Sequence, residues 1–144
     1  MENDKLLDKM VEYLQENVFN QLFEDEDKKI LADFLDDEVG SYTLEAIPTE
    51  LVYKPYRDGG YLEQRVFQFG SREYYDDSDN QNIDNLAFYD DIEKIIRENN
   101  KQHIWPDIKG IQEIECLNNG AIQNEEEGKA KYVIQIRILI LKEA

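Results

Sequence analysis

The chain has one cysteine, one histidine, one tryptophan and three prolines among 144 residues. A single cysteine, Cys116, excludes an internal disulfide. With His103 as the lone histidine, a four-ligand Cys/His zinc site is excluded as well. Nothing in this inventory demands an oxidising compartment. Basic residues are also scarce: 16 Lys and Arg stand against 33 Asp and Glu, a formal net charge of -17. That charge opposes binding to anionic membranes or to nucleic-acid phosphates. Long apolar runs are missing too, and even IQIRILIL near the end is short and interrupted. The opening MENDKLLDK is charged and lacks the apolar stretch of a signal peptide. These absences lead us to expect a soluble protein, kept in a cytoplasm or exported only inside a larger particle.

What is present suits a globular fold. Hydrophobic residues make up 41%, adequate for a core, and the length suits one domain over residues 1–144. No internal repeat, Pro/Ser-rich linker or low-complexity tail divides it. Residues 4–19 predict an amphipathic helix with Leu7, Val11, Leu14 and Val18 on one stripe, widened by Leu6 and Met10. From Met1 to Glu38 there are 13 acids and 4 bases, a net of -9 (4 minus 13). A solvated helical face and a charged turn explain that excess better than a metal-binding acid cluster. Ile30, Leu31, Phe34 and Leu35 predict a short helix stopped by Gly40.

Strand signals follow. YTLEAI at 42–47 alternates and stops at Pro48, and residues 51–56 read as another strand. Asp58-Gly59-Gly60 then joins it to a long strand from Tyr61 to Tyr75, a strong hairpin signal. In that strand Tyr61, Glu63, Arg65, Phe67 and Phe69 share one face, and Leu62, Gln64, Val66 and Gln68 the other. Gly70 would permit a bulge. Ser78 to Gln81 has the form of a capping box, so a helix should start there, with Ile83, Leu86, Ala87, Tyr89, Ile92, Ile95 and Ile96 inward and Asn99-Asn100 at its end. Phe88 falls off this stripe and is expected to be an exposed aromatic that packs on a neighbouring subunit. HIWPDI is a connector anchored by Trp105, and residues 111–117 are a strand. Asn124 to Gly128 should be an acidic turn. Residues 129–142 form the clearest strand, with Tyr132, Ile134, Ile136, Ile138 and Ile140 on one face and Val133, Gln135, Arg137, Leu139 and Leu141 on the other.

The stretch VYKPYRDGGYLEQRVFQFGSREYY carries the most unusual chemistry. Residues 51–72 hold 4 bases against 2 acids, a net of +2 (4 minus 2) in a very acidic chain. The Asp-Gly-Gly turn has neither the glycine spacing nor the following helix of a phosphate loop. A nucleic-acid surface would need more positive charge. Two readings remain open: internal charge balance, and complementarity in which the basic hairpin of one subunit meets an acidic helical face of the next. A hairpin half apolar on both faces often touches something besides its own core. Asp76, Asp77, Asp79 and Asp84 fail as a calcium loop, since Asn82 stands where glycine is required and Phe88 where the bidentate glutamate belongs. His103 has no Ser or Cys partner motif, and Cys116 reads as a buried, inert thiol. No catalytic residue, cofactor site or metal site emerges, and the chain does not read as an enzyme.

EAIPTELVYKPYRDGGYLEQRVFQFGSREYY, followed by NIDNLAFYDDIEKIIRENN, the WPDI turn and IECLNNGAIQNEEEGKAKYVIQIRILILKE, resembles a family of phage and prophage minor capsid proteins. Those proteins hold the tail-terminator or head–tail-joining position of long-tailed phages. The resemblance covers residues 35–143 and rests on strand, turn and helix patterns. It implies an α+β subunit with an antiparallel or mixed sheet, long hairpins and helices packed on one side. It implies a ring, most often a hexamer, that caps the tail tube, meets the head connector and leaves a conduit through which DNA passes without tight binding. The location implied is the virion, after synthesis in the host cytoplasm. Tyr56, Arg57, Arg65, Phe67 and Phe88 are the candidate subunit or tube contacts. Two other classes compete with this expectation: an acidic DNA mimic that inhibits a nucleic-acid-binding protein, and a small carboxylate enzyme.

Overall fold

The structure is a computed structural model and describes residues 2–22, 30–32, 42–74, 79–126 and 129–143. In chain order the elements are α1 (Glu2–Leu14), a π-helical turn (Gln15–Phe19), α2 (Asn20–Leu22), β1 (Ile30–Ala32), β2 (Tyr42–Ile47), β3 (Val52–Pro55), β4 (Tyr61–Tyr74), α3 (Asp79–Lys101), β5 (Ile111–Cys116), β6 (Ala121–Glu126) and β7 (Lys129–Lys142). The fold is α+β, with one seven-stranded mixed sheet.

Period-2 alternation over fourteen residues makes β4 and β7 the two longest strands. They pair antiparallel in one unbroken register, from Tyr61 opposite Lys142 to Tyr74 opposite Lys129. Short strands then share their outer edges. β2 and β3 lie end to end along β4, and β5 and β6 lie end to end along β7. β1 joins β2 in the parallel pair of the sheet.

Helices cover one face. The inward set of β7, Tyr132, Ile134, Ile136, Ile138 and Ile140, is fully buried with Phe67 and Phe69 of β4 and Tyr42 and Leu44 of β2. Leu7, Met10, Tyr13 and Leu14 of α1 pack on them, beside Tyr89, Ile92 and Ile96 of α3. The predicted α1 stripe changes at its end. A π turn accommodates one extra residue, so Val18 and Phe19 both point inward. Phe19 then sits edge-on to Tyr42 and to Phe69, each at 5.2 Å between ring centres. Such pairs contribute about 0.5–1.5 kcal/mol beyond simple area burial.

Four expectations need correction. Ile30-Leu31 lies in a strand rather than a helix, because its backbone finds partners on Tyr42–Leu44; Phe34, Leu35 and Gly40 lie outside the described residues. Gly70 makes no bulge, since it pairs in register with both Thr43 and Val133. The register shifts fall instead on the short flanking strands, at Val52/Lys54, Ile111/Glu113 and Ile122/Asn124. A long two-sided ladder resists a slip, while a short edge strand absorbs the twist mismatch at small cost. Asn124–Glu126 belongs to β6, paired with Lys131–Lys129, rather than to a turn. Finally, α3 runs past Asn100 to Lys101.

The two asparagines do more than end α3. Asn99 Nδ2 donates to the Tyr13 hydroxyl at 3.1 Å and to the Asn17 carbonyl at 3.2 Å, an oxygen at the π turn. Tyr13 in turn donates to the Ile104 carbonyl at 2.8 Å. Asn100 Oδ1 accepts from Trp105 Nε1 and from the Ile114 amide, both at 2.9 Å. The helix closes as a Schellman motif: His103 N–H donates to Asn100 and Ile104 N–H to Asn99, with His103 in the left-handed region at φ 59. Trp105 is the anchor the sequence suggested, packed against the core with His103 stacked on it at 4.4 Å.

Tyr89 ties α3 to the sheet: its hydroxyl lies 2.6 Å from Ser71 Oγ and donates to the Tyr132 carbonyl at 2.8 Å. Gly120, between β5 and β6, presses on this tyrosine, and a Cβ there would fall 2.2 Å from Tyr89 Cβ. At Gly70 the nearest atoms would be 3.4 Å away, one of them the end of the Lys131 side chain. Gly120→Ala is therefore expected to cost about 1–3 kcal/mol by overpacking, and Gly70→Ala under about 1 kcal/mol. Urea denaturation checks this; equal stability of the two variants would contradict the close approach at Tyr89.

Candidate functional site

The hairpin from β3 into β4 is built by its turn. Gly59 N–H donates to the Tyr56 carbonyl at 3.3 Å, and Tyr56 N–H donates to the Gly60 carbonyl at 2.9 Å. Gly59 has φ 93, which closes a type I turn with a glycine bulge. Asp58 Oδ1 accepts from the Gly60 amide at 2.9 Å. The aspartate thus serves the turn, as the hairpin reading of Asp-Gly-Gly requires. At the base, Gln64 fixes the passage from β2 to β3. Its backbone N–H donates to the Leu51 carbonyl at 2.8 Å and its Nε2 to the Glu50 carbonyl at 2.7 Å.

All four β3 residues are exposed. Leu51, Val52, Tyr53 and Tyr56 are 44%, 49%, 48% and 40% accessible. Lys54 Nζ stands 5.6 Å from the centre of the Tyr56 ring, and Arg57 is exposed in the turn. Tyr53 reaches over the helix-free face of the sheet, where the Arg137 guanidinium lies 4.7 Å from its ring centre. Arg137 also donates from Nη2 to Glu115 of β5, its cross-strand neighbour, while its Nε is buried without a partner. A cleft of about 380 Å³ opens where β2 meets β3, lined by Ile47, Leu51, Arg65, Val66 and Phe67 among others.

The candidate contacts divide. Tyr56 and Arg57 sit together at the exposed tip. Arg65 lies further along β4, on the helix-covered face, with Nε donating to Glu63 Oε2 at 3.1 Å. Phe67 is 2% accessible and belongs to the core, since it shares a face with Phe69 that the helices cover. Phe88 is not a surface aromatic either. The π turn brings Phe19 to 6.2 Å from it, and it also meets Tyr42 at 6.0 Å and Tyr89 at 5.5 Å. Sequence reasoning passed over Leu51, Val52 and Tyr53. Their signal was an apolar triplet on a strand too short to be covered, beside the hairpin turn.

Cys116 is half-buried and free, and burial, then Glu93, pushes its thiol up to about 12. Burial also raises the Tyr13 hydroxyl, against a lowering by its hydrogen bond from Asn99. Among the described residues no group of three His, Cys, Asp or Glu side chains could hold a metal ion. Asp76 and Asp77 lie outside the described residues. No family model matches the chain, and no curated protein gives a match.

Glu63 is buried and Arg65 is its partner, so Arg65→Ala strands a carboxylate; Arg57 has no such duty. Arg65→Ala is expected to cost about 2–4 kcal/mol, discounted because the arginine side chain remains partly hydrated. Arg57→Ala should change stability by less than about 0.5 kcal/mol. Thermal and urea unfolding of the two variants measures the split. Cys116 should label very slowly with a thiol reagent at pH 8 and rapidly once unfolded. Because the folded thiol holds its proton more tightly than the unfolded one, its contribution is fully present below pH 9 and is lost as pH rises towards 12. Stability should hold up to pH 9 and fall from there upward; fast native labelling at pH 8 would contradict the burial.

Proposed function

We propose that this chain is a structural subunit of the neck of a long-tailed phage, a tail-terminator-like protein that forms a ring on the end of the tail tube and meets the head connector. The observation that supports this most is the exposed hairpin. It presents Leu51, Val52, Tyr53 and Tyr56, with Lys54 and Arg57, on the surface of a chain of net charge -17. An exposed patch of apolar and basic residues in that setting favours a protein partner over solvent.

A ring closes through a heterologous interface, which needs two different surfaces on each subunit. The hairpin tip is one. An acidic stripe on the N-terminal helices, Asp8, Glu12 and Glu16, all exposed at four-residue spacing, supplies a complementary one. The excess of acid would let DNA pass through the ring without being held. Enzymatic chemistry has no part in this reading.

The test is the oligomeric mass of the full chain with and without tail tubes of its own phage, by light scattering and negative-stain imaging. Rings on tube ends are expected. The double variant Tyr56→Ser/Arg57→Glu should reduce ring formation about tenfold or more while leaving the unfolding free energy within about 0.5 kcal/mol. A chain that stays monomeric under both conditions would overturn the proposal, as would variant rings equal to those of the wild type.

A further inference from the structure

A second concave site lies on the helix-covered side, where β4 begins and β7 ends. It has a volume of about 430 Å³ and is lined by Leu6, Lys9, Glu63, Arg65, Asp107, Ile108, Lys109 and Lys142. Four bases and two acids give these lining residues a net of +2 (4 minus 2), so the rest of the chain carries -19 (-17 minus 2). The bases come from three separate elements and the connector between α3 and β5, so no local run of sequence announces the site.

The backbone holds two of these lysines side by side. Gly110 adopts φ 86, and a Cβ there would lie 2.6 Å from the Leu141 carbonyl oxygen. Leu141 N–H donates to the Gly110 carbonyl at 2.7 Å. This clamp sets Lys109 beside Lys142, both exposed, and neither forms an ion pair with a described residue. The remaining charges are largely spoken for. Lys9 Nζ is 3.6 Å from Asp107 Oδ2, and Arg65 pairs with Glu63. An adjoining hollow of about 400 Å³ shares Lys109 and Lys142, adds Glu143, and extends the groove along the end of β7.

We infer that this groove binds an acidic peptide segment, an extended stretch in which carboxylates alternate with apolar side chains. Lys109 and Lys142 line both hollows without an ion pair among the described residues, so a carboxylate bound there meets two positive charges that the fold leaves unused. Leu6 and Ile108 give the floor an apolar wall that a bare inorganic anion would not use. The overall negative field disfavours a polyphosphate chain. At physiological ionic strength, screening over roughly 8 Å leaves the local lysines dominant for a ligand with only two or three charges. The site borders the hairpin, since Tyr61 lies between Pro55 and Lys142 in the sheet, but its test does not depend on ring assembly.

The experiment is amide-resolved NMR of the full chain with a capped synthetic peptide of alternating Glu and Leu, its Gln-for-Glu analogue, and inorganic phosphate. The acidic peptide should shift amides of residues 107–110 and 141–143, with an affinity that falls as salt is raised. Lys109→Glu/Lys142→Glu should weaken it by about tenfold or more, while Lys94→Glu on the exposed side of α3 leaves it unchanged. Both variants are surface changes, and their spectra report whether the fold is retained. Equal binding of the Gln analogue, no shift with the acidic peptide, or an equal loss in the Lys94 variant would overturn the inference. Phosphate saturating the same amides at lower concentration would assign the groove to small anions and overturn the peptide class.

Discussion

The fold depends on the pairing of β4 with β7. Each contributes fourteen residues in one register, and a helix and two strands separate them in the chain. Closing so long a loop is entropically costly, and the ladder must offset that cost through many simultaneous pairs. It does so by burying the inner side chains of both strands together: Phe67 and Phe69 face the run from Ile134 to Ile138 in register. A slip of one residue would turn that entire set to the opposite face. Every other strand then attaches to one of these two, or through β2.

From this follows the position of the hairpin. β2 occupies the edge of β4 from Val66 to Ser71, so β3 is left only the first residues of β4. A strand that short cannot be covered on either face, and its side chains stay exposed. The opposite edge repeats the arrangement with β5 and β6 on β7. Arg137 then spans the helix-free face, from Tyr53 on one side to Glu115 on the other. The polar junction at the end of α3 plays the matching part on the helical face, where Asn99, Asn100 and Tyr13 join α1, the connector and β5. A satisfied buried network of this kind favours one arrangement of the layers over others.

Charge is sorted rather than balanced. Among the described residues the helices carry a net of -6 (5 bases minus 11 acids), while bases gather at the hairpin tip and around the groove that ends β7. Arg65 belongs to neither surface in a simple way: it answers the buried Glu63 and lines the walls of two concavities. A basic residue near an interface can thus be committed to the fold, which its place in a sequence cluster does not reveal.

Elements whose signal is local were legible in the chain before it folds. Alternation defined β2, β4 and β7 almost to the residue, Asp58-Gly59-Gly60 defined the turn, and the long apolar period defined α3. Tyr56 and Arg57 were legible as surface residues because turn chemistry places a hairpin tip in solvent. Features that need partners distant in the chain emerged only on packing. Ile30-Leu31 became a strand because a free edge of β2 was available. Phe88 was drawn inward because a π turn delivered Phe19 to it, and Phe67 was covered because the helices lie on its side of the sheet. The lysine groove has no sequence signature, since Lys9, Lys109 and Lys142 meet only when β7 closes against the connector through Gly110. Periodicity reports which side of an element is apolar; which side is covered, and by what, is settled only when the elements pack.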